Sequence, residues 1–180
     1  MRTGSTSDLL KSFKAGAEFV PLKSFLFQQA QDFHSKNVAK TYVAVKQQAV
    51  SSGGFEDVPD LVVLGYMTLT CSQIDIRNGY TVADCQYANK YDSLPAVKIA
   101  RLAVDTRYRG NGIGEALIAL SIAIATDVIA PIIGCRFVVT DAKIDAVPFY
   151  TKVGFTLLDT PDNRALETPV MFVDIFCLEA

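Results

Sequence analysis

Residues 97–114 read VKIARLAVDTRYRGNGIG. An apolar strand pattern over 97–104 runs into a turn holding Arg109 and three alternating glycines, Gly110, Gly112 and Gly114. A long apolar stretch, EALIALSIAIATDV, then opens a helix at once. Strand, glycine-rich turn and helix start, in that order, turn a row of backbone N–H groups outward at the positive end of a helix dipole, where phosphate binds. Glycine is used where backbone approaches a ligand closely or takes a positive φ, because a Cβ would collide. Asn111 or Gly112 suits the N-cap, and Arg109 carries a planar charge that can fork onto phosphate oxygens.

Three phosphate-binding patterns compete for this turn. A P-loop requires Lys-Ser or Lys-Thr after its glycines, and neither follows here. A Rossmann fingerprint counted from Gly110 requires a third glycine where Glu115 stands, and Asp127 falls at the end of the helix rather than on a following strand. What remains is R-x-x-G-x-G, written Arg109-Gly110-Asn111-Gly112-Ile113-Gly114. It resembles the acetyl-CoA pyrophosphate loop of the GNAT superfamily of N-acetyltransferases, and the flanking LAVDTRYRG and GEAL match that superfamily's core in order. A second stretch, RFVVTDAKIDAVPFYTKVGFTLL at 136–158, reads as strand, polar turn, helix and strand. Its phrase Ala146-x-x-Phe149-Tyr150-x-x-x-Gly154-Phe155 resembles the late GNAT helix that packs beside the coenzyme.

Length and composition agree with a single domain over 1–180, with 1–14 as a flexible N-terminus. Half the residues are hydrophobic, with 11 Phe and 7 Tyr, enough apolar surface for a core without metals or disulfides. Cys71, Cys85, Cys135 and Cys177 are widely spaced and form no C-x-x-C, and His34 is the only histidine, so no zinc-type ligand set is present. Reduced, mostly buried thiols in a cytoplasmic protein are expected. The N-terminus lacks the continuous apolar run of a secretory signal. The apolar stretch from Ile113 to Gly134 is interrupted by Glu115, Asp127 and Pro131, which predicts a buried helix and no membrane span. Residues 1–50 hold seven Lys or Arg against three Asp or Glu, a balance of +4 within a chain of net charge −2. That excess fits either solvated helix lysines or a face that meets a polyanion.

Along the chain, Leu22, Phe25, Leu26, Ala30 and Phe33 carry helical spacing within 8–37. Strands are expected over 41–45 and 61–70, separated by a polar, exposed loop at 47–60. Asn78-Gly79 signals a hairpin or an irregular flap within 71–96. Strand 97–104, helix 112–129, strand 135–140, helix 145–153, strand 155–158 and a final strand 169–176 follow. The pattern predicts an α/β fold: a twisted mixed sheet with helices on both faces. The resemblance implies the same architecture, with a coenzyme cleft where strands 97–104 and 135–140 splay apart.

The resemblance further implies acetyl-CoA as cosubstrate and direct transfer to a primary amine without a metal. Leu102, Ala103 and Val104 would bind the pantetheine arm through the main chain. Arg109, Gly110, Asn111, Gly112, Ile113 and Gly114 would hold the pyrophosphate. The Val104 amide would serve the tetrahedral oxyanion. Tyr150, a phenol protonated at neutral pH, would contact the coenzyme sulfur and protonate the departing thiolate. Asp141 and Asp145 flank the turn before Tyr150, but a carboxylate there also suits a helix cap, so no base is assigned.

Three further phrases are similar to the toxin-type branch of the superfamily: Asp32-Phe33-His34-x-x-Asn37-Val38-Ala39-Lys40-Thr41-Tyr42-Val43, Leu64-Gly65-Tyr66-Met67-Thr68-Leu69, and Ile99-Ala100-Arg101-Leu102-Ala103-Val104-Asp105. That branch acetylates the α-amine of aminoacyl-tRNA and is paired with a small antitoxin protein. A homodimer is among the assemblies the likeness allows. Two other readings stand beside it: a small-molecule or protein amine acetyltransferase, and a non-catalytic acetyl-CoA sensor.

Overall fold

The computed structural model describes residues 13–16, 20–48 and 60–179. In chain order the elements are α1 (Val20–Gln28), α2 (Ala30–Ser35), β1 (Lys40–Gln48), β2 (Asp60–Asp75), β3 (Ser93–Val104), α3 (Ile113–Ile133), β4 (Phe137–Asp141), α4 (Val147–Lys152), β5 (Thr156–Leu157), α5 (Pro161–Arg164) and β6 (Val170–Asp174). The strands form one six-stranded mixed sheet in the order β1-β2-β3-β4-β6-β5. The expected loop at 47–60 lies outside the described residues except at its ends. Contacts within the chain gather into two units, residues 1–68 with 101–117, and residues 69–100 with 118–180.

In the first unit, Phe13, Phe25, Leu26, Val63, Tyr66 and Ala103 form the core. Tyr66 is fully buried and donates its hydroxyl to the Leu22 carbonyl at 2.7 Å, which fixes α1 while keeping the phenol satisfied. Burial pushes its pKa far up, against the opposing pull of Arg101. Gly65 is required by close approach. A Cβ there would lie 2.9 Å from the Ala103 carbonyl and 3.2 Å from Ile113. His34 accepts the Thr41 amide on Nδ1 at 3.2 Å, so it serves the α2-to-β1 junction as an ordinary polar group.

The N-terminal end of this unit corrects one expectation. Phe13 is fully buried and packs edge-on to Tyr66, with centroids 5.9 Å apart. Lys14 is held by its backbone on both sides: its amide donates to Asp105 at 2.9 Å and its carbonyl accepts from Thr106 at 2.8 Å. Residues 13 and 14 are therefore part of the packed fold rather than a flexible tail, because burying one phenylalanine is worth about 1.5–3 kcal/mol.

In the second unit, Ile74, Ile76, Val82, Phe137, Val139, Leu158 and Phe172 form the core, with Tyr80 packed against it. β4 is buried along Phe137–Thr140, as befits a strand covered on both faces. It pairs parallel with β3 only over Ala96–Lys98 and antiparallel with β6 over Phe137–Asp141. Asn78-Gly79 forms a tight turn, with Asn78 at φ 60° and the Gly79 and Tyr80 amides both donating to Ile76. No strand returns from it. The segment is instead tied down by side chains: Tyr80 to Asp174 at 2.8 Å, Arg136 forked onto Asp84 at 2.9 and 2.8 Å, and Asn89 bonded to both the amide and carbonyl of Val82. Of the alternatives left open, the irregular flap forms.

α3 is 21 residues long and widens to a π-helix over Ile124–Ile129. Pro131 lies just beyond that stretch, and a proline lacks the N–H and crowds the preceding turn. Leu117, Ile118, Ser121 and Ala125 bury one face, whereas Leu120, Val128, Ile132 and Ile133 are exposed. The expectation of a buried helix therefore holds for one face only. By length and composition the helix is long and apolar enough to cross a membrane, although one face is packed inside the fold. The thiols differ from expectation too: Cys71, Cys85 and Cys177 are exposed and Cys135 is half-buried, all unpaired.

Candidate active site

The glycine turn is built from Asp105 outward. The Asp105 carboxylate is fully buried and accepts from the Lys14 amide (2.9 Å), the Arg107 amide (2.9 Å) and the Arg107 guanidinium (3.0 and 2.7 Å). Burial alone would raise its pKa. The Arg107 and Lys14 donors outweigh that and hold the carboxyl below the ordinary range. The Asp105 backbone amide also donates to the Leu64 carbonyl at 2.8 Å, so the chain is anchored just past the end of β3, before the turn begins.

Beyond this anchor the backbone alternates. Gly110 and Gly112 both take the left-handed conformation, at φ 80° and 76°. Such alternation points successive N–H groups into one concavity, which binds anions. It continues into the first turn of α3, whose dipole adds positive potential. The Asn111 side chain does not cap the helix. It donates back to the Tyr108 and Arg109 carbonyls at 3.0 and 3.2 Å and stiffens the turn. Gly112 takes the position before the helix, and its carbonyl accepts from Ala116 at 2.9 Å. Arg109 donates to the Ala15 carbonyl at 2.9 Å, committing part of its fork to the chain's own backbone. Gly114 and Ile113 lie within the helix.

Leu102, Ala103 and Val104 end β3 in the same unit; Ala103 is buried while its neighbours are half-buried. That is the alternation of a strand with one face in the core.

Tyr150 belongs to the second unit. It sits on α4, is 7% exposed, and packs edge-on between Phe149 and Phe155 with centroids 5.3 Å away on either side. The motif explains this packing. Gly154 at φ 93° caps the helix, and the Phe155 amide then donates to the Tyr150 carbonyl at 2.9 Å, folding Phe155 under the tyrosine ring. Burial raises the Tyr150 pKa, and a hydrogen bond with the Thr140 hydroxyl lowers it in part. The phenol is therefore protonated at neutral pH.

The two carboxylates near this turn are accounted for differently. Asp141 forms an ion pair with Lys98. Asp145 lies exposed in the short 3-10 turn Ile144–Ala146, and neither that turn nor α4 has a side-chain cap. Asp145 does not cap as its position suggests, because the chain passes from one helical turn straight into the next.

The sequence reading missed three contributors: Asp105 as the anchor of the turn, the Lys14–Ala15 backbone, and Thr140. Asp105 was visible as an Asx-turn residue heading DTRY. Thr140 was visible as the lone hydroxyl in an apolar strand. The backbone contribution of Lys14 and Ala15 leaves no trace in residue type.

A family model for the acetyltransferase (GNAT) domain matches residues 63–157. No curated protein matches in sequence. Among solved structures, a Tyr→Phe mutant of KacT superposes with a TM-score of 0.74 at 24% identity, over 94% of this chain and 89% of that one. AtaT complexed with acetyl-methionyl-tRNAfMet gives 0.73 at 23% identity over 94% and 89%. A Tyr→Phe mutant of the AtaT toxin, bound to acetyl-CoA and the C-terminus of the antitoxin AtaR, gives 0.68 at 22% identity over 97% and 92%. These likenesses agree in fold. The family match spans more than half the chain and contains both the glycine turn and the Tyr150 helix; the chain belongs to the GNAT acetyltransferase family and is an acyltransferase.

Proposed function

We propose that this protein is an acetyl-CoA-dependent N-acetyltransferase of the toxin type, moving acetyl directly from the coenzyme to the α-amine of aminoacyl-tRNA in a ternary complex. The observation that carries the coenzyme assignment is the left-handed alternation at Gly110 and Gly112, opening into a 21-residue helix. Its amides, from Arg109 to Gly114, bind the pyrophosphate. Leu102–Val104 takes the pantetheine arm as an added strand, and the Val104 amide stabilises the oxyanion. Tyr150 protonates the thiolate as it leaves.

The acceptor is supported by two observations. The solved structure of AtaT holds acetyl-methionyl-tRNAfMet, and the present fold is similar to it over nearly its whole length. Both carboxylates that could act as a base are an ion-paired Asp141 and an exposed Asp145, which suits an amine whose own pKa is low, as an aminoacyl ester's is. A small antitoxin protein is the corresponding partner, as for AtaT with AtaR. The chain works as one domain in the cytoplasm, and a homodimer is its assembly. The acidic sequence, pI about 5.4, favours a second reading with a small amine or peptide acceptor.

Radiolabelled acetyl-CoA, incubated with charged tRNA, a peptide mixture and an amine panel, separates these readings. Label is expected on aminoacyl-tRNA. Label on a polyamine or peptide alone overturns the acceptor, and tight binding without any transfer overturns catalysis. Tyr150→Phe is expected to lower turnover by about 10²-fold or more, with acetyl-CoA affinity changed less than about threefold. Wild-type turnover in that variant removes the acid role.

A further inference from the structure

We infer that Thr140 is the positioning residue for the Tyr150 proton: its hydroxyl holds the phenol in place, and turns from a backbone carbonyl to the phenolate when the proton leaves. This rests on the reading of Tyr150 as the acid. The inference starts from the sheet. The β3–β4 ladder runs through Ala96↔Phe137, Val97↔Val138 and Lys98↔Val139. The next rung would be Ile99 beside Thr140. There the Ile99 carbonyl instead accepts the Thr140 side-chain hydroxyl, at 3.2 Å. A side chain thus takes over where the backbone ladder ends, and Thr140 is only 2% exposed. The same hydroxyl is hydrogen-bonded to the Tyr150 phenol.

A threonine hydroxyl has one proton and two lone pairs. While Tyr150 is a neutral phenol, Thr140 donates to Ile99 and can accept from Tyr150. Once Tyr150 is a phenolate it has no proton to offer, and rotation about the Thr140 Cβ–O bond brings the hydroxyl proton to the phenolate oxygen. In the reaction, the bond between acetyl carbon and sulfur breaks and the thiolate takes the Tyr150 proton. The acceptor nitrogen, now an amide, releases one proton, which returns to the phenolate. No net proton is gained or lost. Around the phenol stand Phe149, Phe155 and Thr140, all uncharged. The charges on the adjoining strands, Lys98 and Asp141, are paired together, and Asp145 and Lys152 on the helical segment are exposed. Among the described residues, Thr140 is the hydrogen-bonding partner of the phenol and can answer the charge. Hydrogen bonds to charged groups are about twice as strong as neutral ones, which is the differential effect catalysis requires.

The test uses Thr140→Val, which keeps the shape, Thr140→Ser, which keeps the hydroxyl, and Tyr150→Phe, each checked for folding by circular dichroism. Turnover is followed by loss of thioester absorbance, with the best acceptor from the labelled panel. Thr140→Val is expected to lower kcat by about 10- to 100-fold with KM for acetyl-CoA nearly unchanged, while Thr140→Ser restores most of the rate. In Thr140→Val the alkaline limb of kcat should move to higher pH, because an unsupported phenolate forms less readily. With acetyl-seleno-CoA, whose selenolate leaves without an acid, the Thr140→Val deficit should nearly vanish. In the free protein, the ring resonance of Tyr150, labelled with ¹³C at Cζ, should titrate at higher pH in Thr140→Val than in wild type.

Wild-type kcat in Thr140→Val, or a deficit of equal size with the selenoester, overturns the inference. So does an unmoved Tyr150 titration. If Tyr150→Phe is slow and is rescued by the selenoester while Thr140→Val is not, the role of Thr140 alone falls. If Tyr150→Phe turns over normally, the acid reading falls and takes this inference with it.

Discussion

Asp105 shows how one carboxylate can organise a turn. Three groups converge on it: the backbone amide of residue 14, a turn amide from residue 107, and the Arg107 guanidinium. Its folded pKa is depressed, so its contribution to stability is complete above the unfolded carboxylate value, about 3.9, and is lost as pH falls through the lower folded value. Asp105→Asn should remove this contribution and cost about 1–3 kcal/mol at neutral pH. Urea unfolding at pH 7 and pH 3 tests it: the gap between wild type and variant should be wide at the former and narrow at the latter. Gly112 has a different task. Its φ of 76° is strained for any side chain, and an aspartate there would also set a negative charge at the helix start. Gly112→Asp should abolish acetyl-CoA binding in calorimetry; heat of binding equal to wild type would contradict the pyrophosphate assignment.

At the scale of elements, the strand–turn–helix unit was readable because glycine spacing and apolar periodicity act locally. β1, β2 and β3 were found in place but too short. Pairing extends β2 to Asp75 and starts β3 at Ser93, and pairing depends on partners far along the chain. α5 was missed: four residues carry no periodicity, and it exists because Thr160 caps it and Asn163 bonds the Val170 backbone. The segment after Asn78 could not be resolved from sequence since its shape depends on Asp174 and Arg136, remote partners for Tyr80 and Asp84. Gly65 was legible only as a glycine within a strand. Its Cβ clash is with backbone at 2.9 Å, so β2 itself must shift to admit a side chain. Gly65→Val should cost about 1–3 kcal/mol, read as a lowered midpoint in denaturant.

For the molecule as a whole, charge limits the kind of grip available on a polyanion. The chain is net −2, and its basic excess of +4 is confined to residues 1–50. If aminoacyl-tRNA is the acceptor and meets that segment, its excess neutralises about four phosphates. A plot of log affinity for tRNA against log salt should then have a slope near about −3, since each contact contributes roughly −0.7 to −0.9. A slope steeper than about −6 would mean that cations beyond that +4 excess, among the 17 Lys and Arg of the chain, also reach phosphate. Recognition on these terms leans on the shape of the aminoacylated end rather than on the RNA backbone, and tRNAs differing only in sequence should be acetylated at similar rates.

The latch at Lys14 and Ala15 has a practical side. Lys14 grips the entrance of the glycine turn by amide and carbonyl, and Ala15 receives Arg109, so substitutions there change little while excision changes much. A chain lacking residues 1–15 would lose that latch without any change to the residues of the turn. Calorimetry on that truncated chain should therefore show weakened acetyl-CoA binding, and wild-type heats would show the latch to be dispensable.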